Sequence, residues 1–333
     1  MRRVLKRLAE SRPSVVLMEW LLALWLNLVS LFKPLDKLDV KVTVVVPAFN
    51  VEAFIAQAMR SLGAQRYKNL SVILVDDHCT DRSIERARPF EKRFDLTIVR
   101  GTHDGLGAAR NTGVDQVGDT DYIIFLDSDD VMVPGTISKL ARLAQKFGAD
   151  MVNGQSAKFV GLGIFPRRDT RFLYQGRREE LLTLEAEPKM IYDSTPWNKL
   201  ISWEFWKANK LSWPLHVYFE DLIVSSKIMA LGAKVVLTPK IIYLWRVRVN
   251  ATRSITQTHA EIRTLRDRVS AARIATANLK EALAAGRITQ PTLDALQEKL
   301  RTHDLEIYLP HYPNPTGEAK ELMDEFKALA GVQ

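Results

Sequence analysis

Three runs of β-branched and apolar residues each end abruptly in polar ones. Val42-Thr43-Val44-Val45-Val46 runs into Pro47-Ala48-Phe49-Asn50, Val72-Ile73-Leu74-Val75 into Asp76-Asp77-His78-Cys79-Thr80-Asp81, and Tyr122-Ile123-Ile124-Phe125-Leu126 into Asp127-Ser128-Asp129-Asp130. Runs this short and this continuously apolar read as strands buried on both faces. The stretches Glu52 to Leu62, Arg82 to Arg93 and Leu106 to Val117 carry helical patterns between them. Strand, helix and strand in alternation predict a doubly wound α/β fold with a mostly parallel sheet flanked by helices.

The polar ends carry the chemistry. Ligands of such sheets bind outside the carboxyl ends of the strands, so Asp76, Asp77, Asp127 and Asp129 are expected at one crevice. Carboxylates gathered at a strand end cost stability unless a cation or a fixed donor lies beside them. Oxygen ligands there suit Mn2+ or Mg2+, ions that commonly arrive with the phosphates of a nucleotide. An acidic turn alone is a weak signal, and a second acidic strand end strengthens it.

The motifs Val-Pro-Ala-Phe-Asn-Val-Glu (46–52), Val-Asp-Asp-His-Cys-Thr-Asp (75–81), Gly-Ala-Ala-Arg-Asn-Thr-Gly (107–113) and Phe-Leu-Asp-Ser-Asp-Asp (125–130) resemble, in order, those of the family 2 glycosyltransferases of GT-A fold. The resemblance covers roughly residues 40 to 255. Trp197-Asn198-Lys199-Leu200, Phe219-Glu220-Asp221, Tyr243 to Arg248 and Ser254-Ile255-Thr256 are similar to the transferase module of bacterial capsule and teichoic-acid-type polymer synthesis. His78-Cys79 departs from the usual Gly-Ser and bears on the shape of the nucleobase loop.

The resemblance implies an inverting, metal-dependent transfer of a sugar from a UDP-sugar to a hydroxyl of a cell-surface polysaccharide, a teichoic-acid-type polymer or its lipid-linked precursor. The alternatives are another nucleotide-linked donor, or a non-catalytic polymer-binding subunit on the same fold. In the implied site Asp221 is the general base and Glu220 its neighbour, while Asp129 with Asp127 holds Mn2+ or Mg2+. The nucleotide is lined by Pro47, Phe49, Asn50, Glu52, Asp76, Asp77, Arg110, Asn111, Asp127 and Ser128. Asp77 is the acceptor expected to meet the uracil N–H. Arg110 either positions the nucleotide or pairs with an acid of the crevice. Lys199, Arg246 and Arg248 bring positive charge for the diphosphate, although both arginines can equally pair with acids, and Trp197 is the indole considered for acceptor stacking.

Composition narrows the setting. A chain of 333 residues, 47% hydrophobic, can bury one large or two small cores. Its single cysteine rules out an internal disulfide framework. A formal charge of +8, spread along the chain and without a zinc spacing or RNA-binding signature, does not point to nucleic acid. It is compatible with an anionic membrane surface or an anionic acceptor.

Arg2, Arg3, Lys6, Arg7 and Arg12 precede Val15 to Phe32, which is apolar apart from Glu19, Asn27 and Ser30. This segment reads as an interfacial helix on the cytoplasmic leaflet, with Trp20 and Trp25 at headgroup depth, or as a helix packed on the catalytic domain or a second subunit. A membrane span would carry the remainder of the chain away from cytoplasmic nucleotide sugars. The expected organisation is therefore 1–39 for the basic and apolar helix with its linker, 40–155 for the nucleotide-sugar half, 156–256 for the acceptor half, and 257–333 for a helical extension. That extension shows apolar residues from Ile262 to Leu283 near helical spacing, a break at Gly286, and a new start at Thr289 with Pro291. It is a packing element, an acceptor wall or a dimer surface.

Overall fold

The seven residues of β1 (Val42–Ala48) are all buried, as the middle strand of a sheet covered on both faces requires. In this computed structural model, which describes residues 12–160, 163–248 and 260–332, β1 lies parallel between β2 (Leu70–Asp76) and β4 (Tyr122–Phe125). Val42 is paired with Leu70 and with Tyr122, and the register continues to Ala48 beside Asp76. The motifs that follow these strands therefore leave the sheet at one edge. β3 (Asp95–Arg100), parallel to β2, was not among the expected strands. Its residues alternate between exposed and half-buried, so it lacks the continuous apolar run of an inner strand.

The other strands are β5 (Val131–Met132), β6 (Met151–Val160), β7 (Gly163–Pro166), the two-residue β8 (Leu181–Leu182), β9 (Lys199–Ser202) and β10 (Val235–Arg246). The main path through the sheet is β3-β2-β1-β4-β9-β6-β10-β5. β9 is antiparallel to both β4 and β6, and β10 returns parallel to β6. The mixed α/β, mostly parallel architecture expected from the sequence is thus observed.

Two units divide the chain. The first comprises residues 1–181, 197–211 and 235–250, and the second residues 182–196, 212–234 and 251–333. The first unit holds α1 (Arg12–Phe32), α2 (Ile55–Gly63), α3 (Leu106–Asp115) and α4 (Thr136–Phe147). Leu22 and Leu26 of α1 are buried against Ala64, Val131, Ala157, Phe159 and Leu244. The Lys33–Asp36 segment is tied down: Lys33 Nζ donates to Gln65 O at 2.9 Å, and Arg142 donates to Asp36 at 2.9 Å.

In the second unit α5 (Glu220–Ala230), α6 (Ile262–Ala284), α7 (Gln290–Lys299) and α8 (Gly317–Leu329) form the helical part. The break at Gly286 and the restart at Thr289 fall where the sequence placed them, and a π-helical segment, Leu300–Leu305, follows α7. The motif Ser254-Ile255-Thr256 lies outside the described residues.

Gly113 shows how tightly α3 is drawn onto the sheet. A Cβ at this position would lie 2.4 Å from Cγ1 of Val45. Alanine in a helix interior otherwise gains roughly 1 kcal/mol over glycine. Here overpacking outweighs that gain, and Gly113→Ala is expected to destabilise the protein by about 1–3 kcal/mol. Thermal or urea unfolding checks this, and a more stable variant would contradict the close approach.

Candidate active site

The loops after β1 and β2 are sewn together. Asn50, in a left-handed conformation with φ 50°, accepts at its Oδ1 from the Thr80 N–H at 2.9 Å. The Val51 N–H donates to Ser83 Oγ at 2.8 Å and the Glu52 N–H to Asp81 Oδ2 at 2.9 Å. Glu52 in turn accepts from the Arg82 N–H at 3.1 Å. Each acid within this stitching has a donor, so the paired loops form a fixed lip above the sheet.

Asp76 and Asp77 do different things there. Asp76 braces the loop, accepting from the Cys79 N–H at 2.8 Å and from Arg100 at 2.6 Å. Burial would push its carboxyl up, but these donors outweigh burial and hold it below the ordinary carboxylate range. Asp77 is buried and accepts from the His103 N–H at 2.8 Å through Oδ1. Gly101 makes room for it, since a Cβ there would stand 2.5 Å from Asp77 Oδ1. Phe49 is 49% exposed, and its ring lies 4.9 Å from that of His103, which lies 5.4 Å from His78. An aromatic rim thus surrounds a buried acceptor, a pairing suited to a planar base with an N–H. Cys79 is half-buried, and burial pushes its thiol up to about 11.

The acidic turn after β4 is surrounded by arginines. Arg110, buried on α3, forms a 3.0 Å ion pair with Asp127. Arg248 holds Asp129, with Nε at 2.8 Å and Nη2 at 2.7 Å from Oδ2. Burial still pushes the Asp129 carboxyl up, with Arg248 opposing and Asp127 reinforcing the shift. Asp130 is buried and also pushed up, by burial first and then by Asp129 and Asp127. It accepts from the Tyr243 hydroxyl and the Arg246 N–H, both at 2.7 Å, while the Asp127 N–H donates to the same tyrosine oxygen at 3.2 Å. Ser128 is buried between these acids, and Asn111 follows Arg110 on α3.

Arg246 is the pin of the turn. Its Nε donates to Asp129 O at 2.6 Å, one terminal nitrogen meets Gln57 Oε1, and the other pairs with Glu19 of α1. Phe54 and Phe159 flank the guanidinium, and burial pushes its pKa down to about 9. With Nε and both terminal nitrogens engaged, Arg246 sits as a brace and does not present a free fork to a diphosphate. Two more expected residues are enclosed. Trp197 is buried and stacked on Tyr243 at 4.1 Å, so that face is unavailable to an acceptor sugar. Lys199 is buried and donates to Asn198 Oδ1 at 3.0 Å.

Sequence reasoning did not select Gln57, Arg100, His103, Asp130 or Tyr243. Asp130 had a visible signal as the third acid of its turn. Tyr243 opens the 243–248 motif, and Gln57, Arg100 and His103 are marked only by their distant partners.

In the second unit, Glu220 and Asp221 open α5 as its first two residues, directly after Phe219. Phe219 has φ 64°, a left-handed conformation that costs a non-glycine residue on the order of 1 kcal/mol. Carboxylates in a first helical turn are favoured by the helix dipole. Glu220 is buried, and Asp221 accepts from the Leu222 N–H at 2.8 Å. α6 holds this segment. The guanidinium of Arg268 lies 4.7 Å from the centre of the Phe219 ring, and the Tyr218 N–H donates to Asp267 at 3.3 Å. Arg268 also pairs with the buried Asp304, to which Lys299 Nζ donates at 2.8 Å. Burial alone would lower Arg268; Asp304 and Asp221 outweigh it. One acid and two bases leave a net positive charge beneath the loop, close enough to Asp221 for the two to interact.

Residues 43–205 match the family described as glycosyl transferase family 2. GlyA, a glycosyltransferase of Streptococcus pneumoniae, is 28% identical over 219 residues, which are 63% of this chain and 31% of GlyA. The chain thus spans about a third of that relative's length. Among solved structures, residues 1–349 of S. aureus TarS, crystallised with UDP-GlcNAc, superpose with a TM-score of 0.60 at 18% identity, covering 87% of this chain and 90% of that one. The mannosyltransferase PcManGT of Pyrobaculum calidifontis, in complex with GDP-Man and Mn2+, gives 0.56 at 17% identity, covering 96% and 91%. At these identities the structures show the shared fold.

Arg268 yields a stability prediction. Burial would raise the Asp304 carboxyl, but Arg268 and Lys299 outweigh it and keep it below the usual carboxylate range. The associated stability is present above the unfolded value of about 4 and is lost as pH falls through the lower folded value. Arg268→Met removes one cation from a buried acid and should cost about 3 kcal/mol at neutral pH. It should also move the acid-unfolding midpoint to higher pH. Urea melts between pH 3 and 7 check both, and unchanged midpoints would show that Lys299 alone suffices.

Proposed function

The chain carries a glycosyl transferase family 2 domain, and on that premise we propose that it transfers a sugar from a UDP-linked donor, with inversion, to a hydroxyl of a bacterial surface polymer or its lipid-linked precursor. The observation that carries this reading is the acidic turn Asp127 to Asp130, held by arginines at the same sheet edge as a buried Asp77 rimmed by Phe49 and His103. One part suits a diphosphate with its counter-ion, the other a uracil ring.

In this reading Asp77 accepts the uracil N–H while the His103 N–H fixes its other oxygen. Phe49 stacks on the base, and Pro47, Asn50, Glu52 and Asp76 shape the lip. Asp127 and Asp129 hold Mn2+ or Mg2+. The fit rests on their hard oxygen donors and on the burial, reinforced by the charge of Asp127, that pushes the Asp129 carboxyl up and that a cation would offset. Among the described residues no three acidic, histidine or cysteine side chains form a metal-holding group, and phosphate oxygens of the donor would supply further hard ligands. The ion, when bound, neutralises charge developing on the departing diphosphate. Arg110 braces Asp127, and Arg248, already placed on Asp129, clamps the diphosphate.

Asp221 takes the proton from the attacking acceptor hydroxyl, with Glu220 beside it. A single displacement with one base inverts the anomeric centre. No helix among the described residues is long and apolar enough to cross a membrane. The proposed location is peripheral, on the cytoplasmic face of the membrane, where nucleotide sugars and lipid-linked acceptors meet.

UDP release from a panel of UDP-sugars, with Mn2+ or with EDTA, tests the reading. Turnover should require the metal and vanish in Asp129→Asn with the fold intact. Asp221→Asn should lose a factor of roughly 100 or more in turnover with UDP affinity nearly unchanged. Full turnover in Asp221→Asn removes it as the base. Thermal stabilisation by another nucleotide sugar, and not by UDP-sugars, reassigns the donor.

A further inference from the structure

α1 is apolar on two sides, and among the described residues only one of them is packed on the protein. Met18, Leu22, Leu26 and Val29 form the inner line, packed on the first unit. On the outer side Leu17, Leu24 and Leu28 are exposed, with Trp20 at 61%, Leu31 at 73% and Phe32 at 80%. Isolated exposed leucines are ordinary, but a continuous row of large apolar side chains along one helix marks an interaction surface.

The charges indicate what covers it. The only acid of α1 is Glu19, and its carboxylate is turned inward onto Arg246. The outer face therefore presents no negative charge. The first twelve residues supply Arg2, Arg3, Lys6, Arg7 and Arg12 against the single acid Glu10. An apolar face with indoles, continuous in sequence with a basic segment, combines the two signals that bind a helix to an anionic bilayer surface. Gln57 Nε2 donates to the Glu19 carbonyl at 3.2 Å, and the inner leucines are buried, so the helix lies along its own domain.

We propose that the outer face of α1 is a membrane-docking surface for anionic lipid, inserted to interfacial depth with Trp20 and Trp25 among the headgroups. This rests on the peripheral location proposed above and not on the donor chemistry. Deleting α1 is a poor test, because it would uncover Ala64, Val131, Ala157, Phe159 and Leu244. Substitutions confined to the outer row leave that core closed.

The full chain is floated with phosphatidylcholine vesicles containing 30% phosphatidylglycerol, or none. Wild type should bind the anionic vesicles and be weakened by 0.5 M salt. The double variant Leu24→Asn/Leu28→Asn should bind at least about 10-fold more weakly, with its melting temperature and UDP-sugar turnover unchanged. Brominated lipid should quench part of the indole emission, and Trp20→Phe/Trp25→Phe should remove that part. Equal vesicle binding by wild type and the double variant overturns the proposal. So does a wild type that ignores vesicles and forms, in sedimentation equilibrium, a dimer that the double variant dissolves, which would give the face to a second copy. Absent turnover in every variant, with vesicle binding behaving as expected, counts against the transferase reading alone.

Discussion

Three carboxylates within four residues at the end of a buried strand set the terms for the first unit. Asp127, Asp129 and Asp130 repel one another in a poorly solvated place, which is why burial and mutual repulsion push Asp129 and Asp130 up. Such a turn persists only if positive charge or fixed donors are delivered to it. The fold delivers them from several directions: Arg110 from α3, and Arg246, Arg248 and the Tyr243 hydroxyl from β10 and the residues after it. The pairing of β10 with β6 and β5 places those residues, so the outer sheet is also the scaffold of the acidic turn.

These cations are not equivalent. Arg246 is spent on the backbone of Asp129, on Gln57 and on Glu19, and its burial makes it structural. Arg248 touches a carboxylate directly and is less enclosed, so it is the one that a competing anion or metal can redirect. The second unit repeats the scheme with opposite sign: Arg268 and Lys299 outnumber Asp304, and the surplus positive charge lies near Asp221. A buried surplus charge is costly when isolated, and a nearby carboxylate offsets part of that cost.

Much of the first unit was legible because its inner strands are buried on both faces and its acids stand at strand ends. β1, β2 and β4 announce themselves as unbroken apolar runs, whereas β3, an edge with alternating exposure, does not. Asp76, Asp77, Asp127 and Asp129 could be selected from the same pattern. Their partners could not. Arg248 is 119 residues from Asp129, and Arg246 is 227 from Glu19, and no local spacing encodes pairs of that separation. Trp197 illustrates the converse: an aromatic beside polar residues in sequence turned out to be stacked on Tyr243 in the core. The buried Arg268, Lys299 and Asp304 were invisible for a related reason, since a helical period read from apolar residues passes over charges that are paired inside.

The Glu19–Arg246 pair gives α1 a meaning beyond adhesion. The inner face of the helix is fixed by Leu22 and Leu26, and its one carboxylate reaches the arginine that also holds the Asp129 carbonyl. Two bonds through a single guanidinium therefore connect the helix to the acidic turn, inside one unit. A flexible tether would leave the distance between membrane and donor crevice free to vary. A helix braced in this way would fix it: if the outer row rests in lipid as proposed, its depth would also set the height of the acidic turn above the headgroups. For the proposed acceptor carried on a lipid, that height would decide whether its terminal hydroxyl reaches the donor, and the inward turn of Glu19 would then serve positioning as much as it relieves the outer face of charge.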